Sequence, residues 1–190
     1  MWYDPWLFLQ IPLFILGSAG LVYISRKPLR DVGSHGFYRF FAWEAILALV
    51  LVYLPGWFHD PFSWHQLISW FLLIASIFLL AEGVYLLRNI GKSRGQVQGS
   101  SNYAFENTTN LVRTGLYKYI RHPLYASLLG LAWGVYLKEP LSIAGVVLVA
   151  AASYFLWRTA RADEIECIST FGEQYREYMK ETKMFIPWVL

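Results

Sequence analysis

The stretch WHQLISWFLLIASIFLLAEGVYLL, Trp64 to Leu87, decides the fold. Glu82 is its one acidic residue, and it holds no lysine or arginine. About 20 apolar residues in a helix cross the hydrocarbon core of a bilayer, and this run is longer. Phe40 to Phe58 is a second such run, interrupted by Glu44 and closed by Pro55-Gly56. Trp6 to Ile24 is another; its Pro12 is tolerated in a membrane helix when neighbours satisfy the freed carbonyl. Downstream, Pro123 to Leu137 and Leu141 to Trp157 are shorter and meet at Lys138-Glu139-Pro140. They read as a tight helical hairpin, tilted or reaching only partway across. The sequence thus predicts an all-α integral membrane protein with about five transmembrane helices.

Composition agrees. The 190-residue chain is 56% apolar and only 15% charged, with a mean hydropathy of +0.37. Soluble domains carry about 25% charged residues, so the deficit fits a surface placed in lipid. The length suits one domain, divided into residues 1–88 (helices one to three), a loop over 89–120, and 121–190. Met1-Trp2-Tyr3-Asp4-Pro5 lacks the basic start of a secretory signal, so the first run reads as a signal anchor. The lone Cys167 excludes a disulfide framework. His35, His59, His65 and His122 have no zinc-like spacing, and no metal is expected. Pro187-Trp188-Val189-Leu190 is not a prenylation box. No phosphate-binding loop, dinucleotide fingerprint or serine elbow is present.

Basic residues set an orientation. Arg26, Lys27, Arg30 and Arg39 separate runs one and two. Arg88, Lys92, Arg94, Arg113, Lys118 and Arg121 separate three and four, and Arg158, Arg161, Arg176, Lys180 and Lys183 follow run five. Lys138 alone lies on the opposite side. The positive-inside rule then puts the N-terminus outside and the C-terminus in the cytoplasm. Those cytoplasmic loops account for the net charge of +3, and no nucleic-acid partner is implied.

The loop opens with Gly91-Lys92-Ser93-Arg94-Gly95 and later carries Tyr103, Phe105, Tyr117 and Tyr119. It is too aromatic for a plain linker and reads as a segment folded back over the cytoplasmic face. After run five the pattern turns amphipathic: a helix to about Thr170, a break at Phe171-Gly172, then a second helix to about Thr182.

Polar residues at the mouths of membrane runs are costly to bury and mark candidate sites. In Arg121-His122-Pro123, the proline suits a first helical turn and holds His122 just outside it, beside free N–H groups. Arg121 adds a planar donor fork. Two readings stand: an anion or cofactor site, or an interfacial cap meeting lipid phosphates. Tyr125 falls on a similar helix face and either joins that site or belongs to an interfacial aromatic belt. Asp163-Glu164 is either a solvated face or a grip on cofactor hydroxyls or an ammonium group, with Arg158 and Arg161 close by in sequence. Glu44 and Glu82 are expected to pair with Arg39 and Arg88.

Gly115-x-Tyr117-x-x-x-Arg121-His122-Pro123-x-Tyr125, then the acid pair, then Phe171-Gly172-x-x-Tyr175-x-x-Tyr178, Thr182 and Pro187, resembles the isoprenylcysteine carboxyl methyltransferase family. The broader group includes phospholipid N-methyltransferases. The likeness covers roughly residues 110–187. It implies an S-adenosylmethionine cofactor in a cytoplasmic pocket built by the last two membrane helices and the C-terminal amphipathic helix. It also implies Arg121, His122, Tyr125, Asp163 and Glu164 as cofactor-binding residues. Asp163 stands where the family usually has a glutamate, and its shorter side chain reaches less far. The family arginine one turn before the acid pair corresponds to Arg158 or Arg161; with Glu82 these are the catalytic candidates.

Methyl transfer from a sulfonium is an in-line displacement, driven largely by positioning and needing no metal. A lipid-like or prenylated small substrate would arrive from the bilayer. Alternative acceptors are an ethanolamine phospholipid or a small thiol or amine. Two other classes are a nicotinamide-dependent membrane reductase, since sterol reductases share a similar C-terminal region, and a non-catalytic scaffold. The short chain argues against the reductase.

Overall fold

The computed structural model describes residues 6–92, 108–139 and 142–189. It contains six α-helices: α1 (Leu7–Ser25), α2 (His35–Tyr53), α3 (Trp64–Asn89), α4 (Pro123–Tyr136), α5 (Ile143–Phe171) and α6 (Glu173–Glu181). Among the described residues there is no strand; an isolated parallel bridge joins Ile120 and Lys183. Helices α1, α2, α3 and α5 are long and apolar enough to cross a membrane. This is an all-α integral membrane protein with four such helices.

Helix α4 has 14 residues and, at 1.5 Å per residue, is about 21 Å long. It does not stand alone. It runs antiparallel along α3, with Leu124 and Pro123 against Gly83 and Gly130 against Ser76. At its far end Ser69 Oγ donates to the Gly134 carbonyl at 2.6 Å. The chain beyond continues to Lys138, whose Nζ donates to Gln66 Oε1 at 3.0 Å. Helix and turn together therefore follow α3 from Gly83 back to Gln66.

Helices α2 and α5 form the second antiparallel pair. Gly145 faces Tyr53, Phe155 stacks on Phe41 with centroids 5.2 Å apart, and Arg158 reaches Tyr38. Helix α2 begins five residues before the apolar run that announced it. Ser34 Oγ accepts from Phe37 N at 3.1 Å, a standard N-cap that satisfies one free amide. Helix α5 runs 14 residues past the apolar stretch that ends at Trp157. The expected break is found: Gly172 ends α5 at φ +60°, a left-handed conformation that costs glycine little.

At Gly145 a Cβ would lie 1.9 Å from the Tyr53 hydroxyl. Overpacking a closed interface costs about 1–3 kcal/mol. Gly145→Ala is expected to lower the melting temperature in detergent; an unchanged melting curve would contradict this packing.

Helix α1 leans on α2 alone among the helices that cross. Ser18 Oγ donates to Glu44 Oε2 at 2.6 Å, and Gln10 Nε2 donates to the Leu51 carbonyl at 2.9 Å. The expected Glu44–Arg39 pair is thus corrected: Glu44 lies more than two turns into α2 and faces α1, which offers a hydroxyl. Its Oε1 is buried without a hydrogen bond. Glu82 likewise forms no ion pair with Arg88 among the described residues; it lies against Gly115. Six positions separate Glu82 and Arg88, which puts them on different helix faces.

Most of the loop expected to fold back over the cytoplasmic face, with Gly95, Tyr103 and Phe105, lies outside the described residues, as do Pro140 and Leu141. The chain returns at Thr109, whose N–H donates to the Gly91 carbonyl at 2.9 Å.

Candidate functional site

The site grows from a backbone feature. Gly115 sits at φ +59° with Leu86 where a Cβ would go, 2.6 Å away. Only glycine fits so close an approach. It turns the chain into a 3₁₀ turn, Gly115–Lys118, that buries Tyr117. Residues 119–122 then run beside 183–184. Lys183 N donates to the Tyr119 carbonyl at 3.1 Å, Arg121 N to the Lys183 carbonyl at 2.8 Å, and His122 N to the Met184 carbonyl at 3.2 Å. Pro123 opens α4, where a missing N–H costs nothing. His122 is therefore fixed at the helix entrance by bonds on one side and a rigid ring on the other.

Arg121 is the tie between elements. Its Nε and Nη2 each lie 2.8 Å from Glu164 Oε1. Its Nη1 meets the Thr182 carbonyl and, at 3.4 Å, that of Met179. A guanidinium thus spans from α5 to the C-terminus of α6, where free carbonyls favour a cation. Glu164 Oε2 accepts from Arg161 Nη1 at 3.3 Å.

His122 is 5% exposed. Its Nδ1 lies 3.4 Å from Asp163 Oδ2, and its Nε2 lies 3.7 Å from Glu164 Oε1. The second distance is too long for a hydrogen bond, and Nε2 is a buried nitrogen without a hydrogen-bond partner. Its ring stacks on Tyr125, centroids 5.4 Å apart. Burial alone would lower the imidazole pKa, but Asp163 and Glu164 overcome it and hold the pKa above its ordinary value.

A histidine raised on folding stabilises fully below its unfolded pKa, about 6.5, and that stability is lost as pH rises through the folded value. Melting temperature is expected to fall above about pH 6.5, with a slope that His122→Asn reduces. Identical pH profiles for the two proteins would contradict an upward shift at His122.

A cavity opens in front of these groups. Arg121, His122, Tyr125 and Asp163 line it together with Leu87, Leu111, Val112 and Leu124. Tyr175 and Tyr178 close it from α6. Burial pushes both phenols up, so they stay neutral donors. Tyr178 Oη donates to the Tyr117 carbonyl at 2.5 Å, which locks α6 to the 3₁₀ turn.

The structure brings together Arg121, His122, Tyr125, Asp163 and Glu164. It separates the catalytic candidates. Arg158 Nη2 donates to the Tyr38 hydroxyl at 2.6 Å, and its guanidinium lies over that ring. Arg161 is exposed beside Glu164. Glu82 stands at Gly115, behind the 3₁₀ turn.

Sequence reasoning missed His35 and Glu166. His35 is buried at the start of α2; its N and Nδ1 reach Glu166 Oε1 and Oε2 at 3.2 and 2.8 Å. Donor atoms of His35, Asp163 and Glu166 lie within 4.8 Å of one another. Both oxygens of Glu166 are engaged by His35, so the cluster works as a clamp holding α2 to the acid pair. The signal was the N-cap Ser34, which places the helix start ahead of the apolar run.

Residues 72–168, just over half the chain, match the family described as isoprenylcysteine carboxyl methyltransferase (ICMT). Methanethiol S-methyltransferase 1 of Bradyrhizobium diazoefficiens is 34% identical over 74 residues, 38% of this chain and 25% of that protein. Methanethiol S-methyltransferase of Mycobacterium tuberculosis is 30% identical over 38% of this chain and 29% of its own. Protein-S-isoprenylcysteine O-methyltransferase of Mus musculus is 30% identical over 83 residues, 44% of this chain and 29% of that protein. The matched stretch spans between a quarter and a third of the length of these curated relatives. No solved structure matches.

Proposed function

The chain belongs to the isoprenylcysteine carboxyl methyltransferase family, and we propose that it is an S-adenosylmethionine-dependent membrane methyltransferase acting on an apolar sulfur compound drawn from the bilayer. The observation that carries this reading is His122: a buried histidine, one ring nitrogen of which makes no hydrogen bond, lining a cavity together with Arg121, Tyr125, Asp163 and three leucines. An orphaned buried donor is costly unless something meets it. S-adenosylmethionine offers a carboxylate, an ammonium and a ribose diol, which suit a donor beside carboxylates. The acceptor class rests on the relatives: methanethiol and an S-prenylated cysteine are both apolar sulfur compounds.

When bound, the cofactor supplies an electrophilic methyl group on a sulfonium centre. The chain does the rest. His122 Nε2–H, Asp163 and Tyr125 hold the polar groups. Arg121 and Glu164 keep that wall rigid, since they bond to each other, Arg121 also to the carbonyls of Met179 and Thr182 and Glu164 also to Arg161. Leu87, Leu111, Val112 and Leu124 keep the reacting centre dry. Alignment of nucleophile and methyl then supplies much of the rate. Of the two arginines, Arg158 donates to the Tyr38 hydroxyl and Arg161 to Glu164, so Arg161 is the one tied to the acid pair.

In this reading the protein is one methyltransferase domain: helices one to three over 1–88, a loop over 89–120, and the cofactor-binding hairpin with its C-terminal helix over 121–190. The start of α1 lies outside, α4 makes a fifth crossing sheltered by α3, and the pocket and α6 face the cytoplasm. A reporter inserted near Asp60 is expected on the outer side and one near Trp188 on the cytoplasmic side.

The test uses purified protein in lipid discs with methyl-labelled S-adenosylmethionine. Methanethiol and an S-farnesylated N-acetylcysteine are offered in turn. Label is expected in a volatile sulfide or a base-labile methyl ester, with a thermal shift from S-adenosylhomocysteine and none from a reduced nicotinamide cofactor. Label in neither product and no shift with S-adenosylhomocysteine would overturn the reading.

A further inference from the structure

The paired segments that hold His122 have a second face. Inward they bury Ile120, His122, Met184 and Phe185. Outward they present Lys118, Tyr119, Lys183, Ile186, Trp188 and Val189. Tyr119 is 48% exposed, Trp188 82% and Val189 74%. The rings of Tyr119 and Trp188 lie 6.2 Å apart, and Lys118 Nζ sits 5.9 Å from the Tyr119 centroid. Neither Lys118 nor Lys183 makes a side-chain ion pair among the described residues.

Trp188 adds a second observation. Its φ is +63°, in the left-handed region that bulky residues avoid. The patch also lies where the chain meets the membrane: α4 starts at Pro123, four residues after Tyr119. Aromatic rings flanked by lysines are the chemistry of a membrane–water interface, with the rings at headgroup depth and the lysines on anionic lipid phosphates.

We propose that Lys118, Tyr119, Lys183, Ile186, Trp188 and Val189 form a docking surface for an anionic bilayer face, pinning the tail after α6 to the membrane. The tail thereby clamps the backbone of Arg121 and His122 from the lipid side. The docking does not depend on which cofactor or acceptor the pocket serves.

The experiment measures depth rather than activity. A nitroxide is attached to Val189→Cys in a Cys167→Ala background. The labelled protein is placed in discs of phosphatidylcholine alone or mixed with phosphatidylglycerol. Collision with oxygen against a water-soluble nickel chelate reports the depth. The label is expected at headgroup level in the anionic discs and shallower in the neutral ones. Adding Lys118→Gln and Lys183→Gln is expected to move the label toward water, with docking weakened roughly fivefold per lysine at low salt. Equal melting temperatures in detergent show that the fold is kept. A label in water in both lipids, as a solvent-facing or protein-binding patch would give, overturns the proposal; so does a depth indifferent to both lipid charge and the lysines.

Discussion

Glu164→Gln is expected to lower the stability of the protein by about 3 kcal/mol, the low end for breaking a buried ion pair. Glu164 and Arg121 are both largely buried and bonded at 2.8 Å. Glutamine leaves one acceptor but removes the charge, so a guanidinium stays inside without its counter-ion. In a protein of this length the loss corresponds to a fall in melting temperature of roughly 6–12 °C. Affinity for S-adenosylhomocysteine is expected to fall with it, because Arg121 also holds the carbonyls of Met179 and Thr182 that seat α6. The control is Glu173→Gln on the exposed side of α6. Glu173 pairs only with exposed Arg176 at 3.6 Å, and such pairs contribute about 0–1 kcal/mol. Equal melting shifts from the two variants would mean that the acid pair is an ordinary solvated face.

The second large effect is on binding. His122→Asn keeps a good N-cap residue at the entrance of α4, and the protein is expected to fold. Asparagine cannot reproduce the stack on Tyr125, the contact with Asp163 or the Nε2 donor. Affinity for S-adenosylhomocysteine is expected to drop at least about tenfold, since a hydrogen bond to a charged group contributes about 1.5–3 kcal/mol. Calorimetric titration of the folded variant reads this directly. Unchanged affinity would reduce His122 to a helix cap.

The helices were legible because lipid imposes a simple rule, an unbroken apolar run of sufficient length. Trp64 to Leu87 and Trp6 to Ile24 are recovered almost residue for residue. The far end of α5 was legible too, through its amphipathic pattern and the break at Phe171-Gly172. The start of α2 was not. Its first turn holds His35 and Tyr38, which meet Glu166 and Arg158 of α5 rather than lipid. A hydropathy reading begins only where the apolar run begins, although the helix has already started. The acid pair and His122 were legible through their spacing and their costly location. The clamp from His35 to Glu166 was not, because it joins residues 131 positions apart. No local pattern reports such a contact. The Glu44 partner failed for a related reason: a nearby arginine in sequence pointed to the wrong helix face.

The nesting of the helix pairs has a consequence for how the protein is made. Helix α3 pairs with α4, the next to emerge, while α2 pairs with α5, the last that crosses. Between the end of α2 at Tyr53 and the start of α5 at Ile143 a ribosome working at about 5–20 residues per second needs roughly 5–20 s. During that interval His35 and Tyr38 lack their eventual partners Glu166 and Arg158. The inner hairpin of α3 and α4 closes first and α5 completes the bundle around it. The acid pair rides on the far end of α5, and Tyr175 and Tyr178 of α6 also line the pocket, so the pocket comes into being only once α6 has emerged. Chaperoning of this chain at the insertion machinery is therefore needed most for α2, the helix with the longest wait.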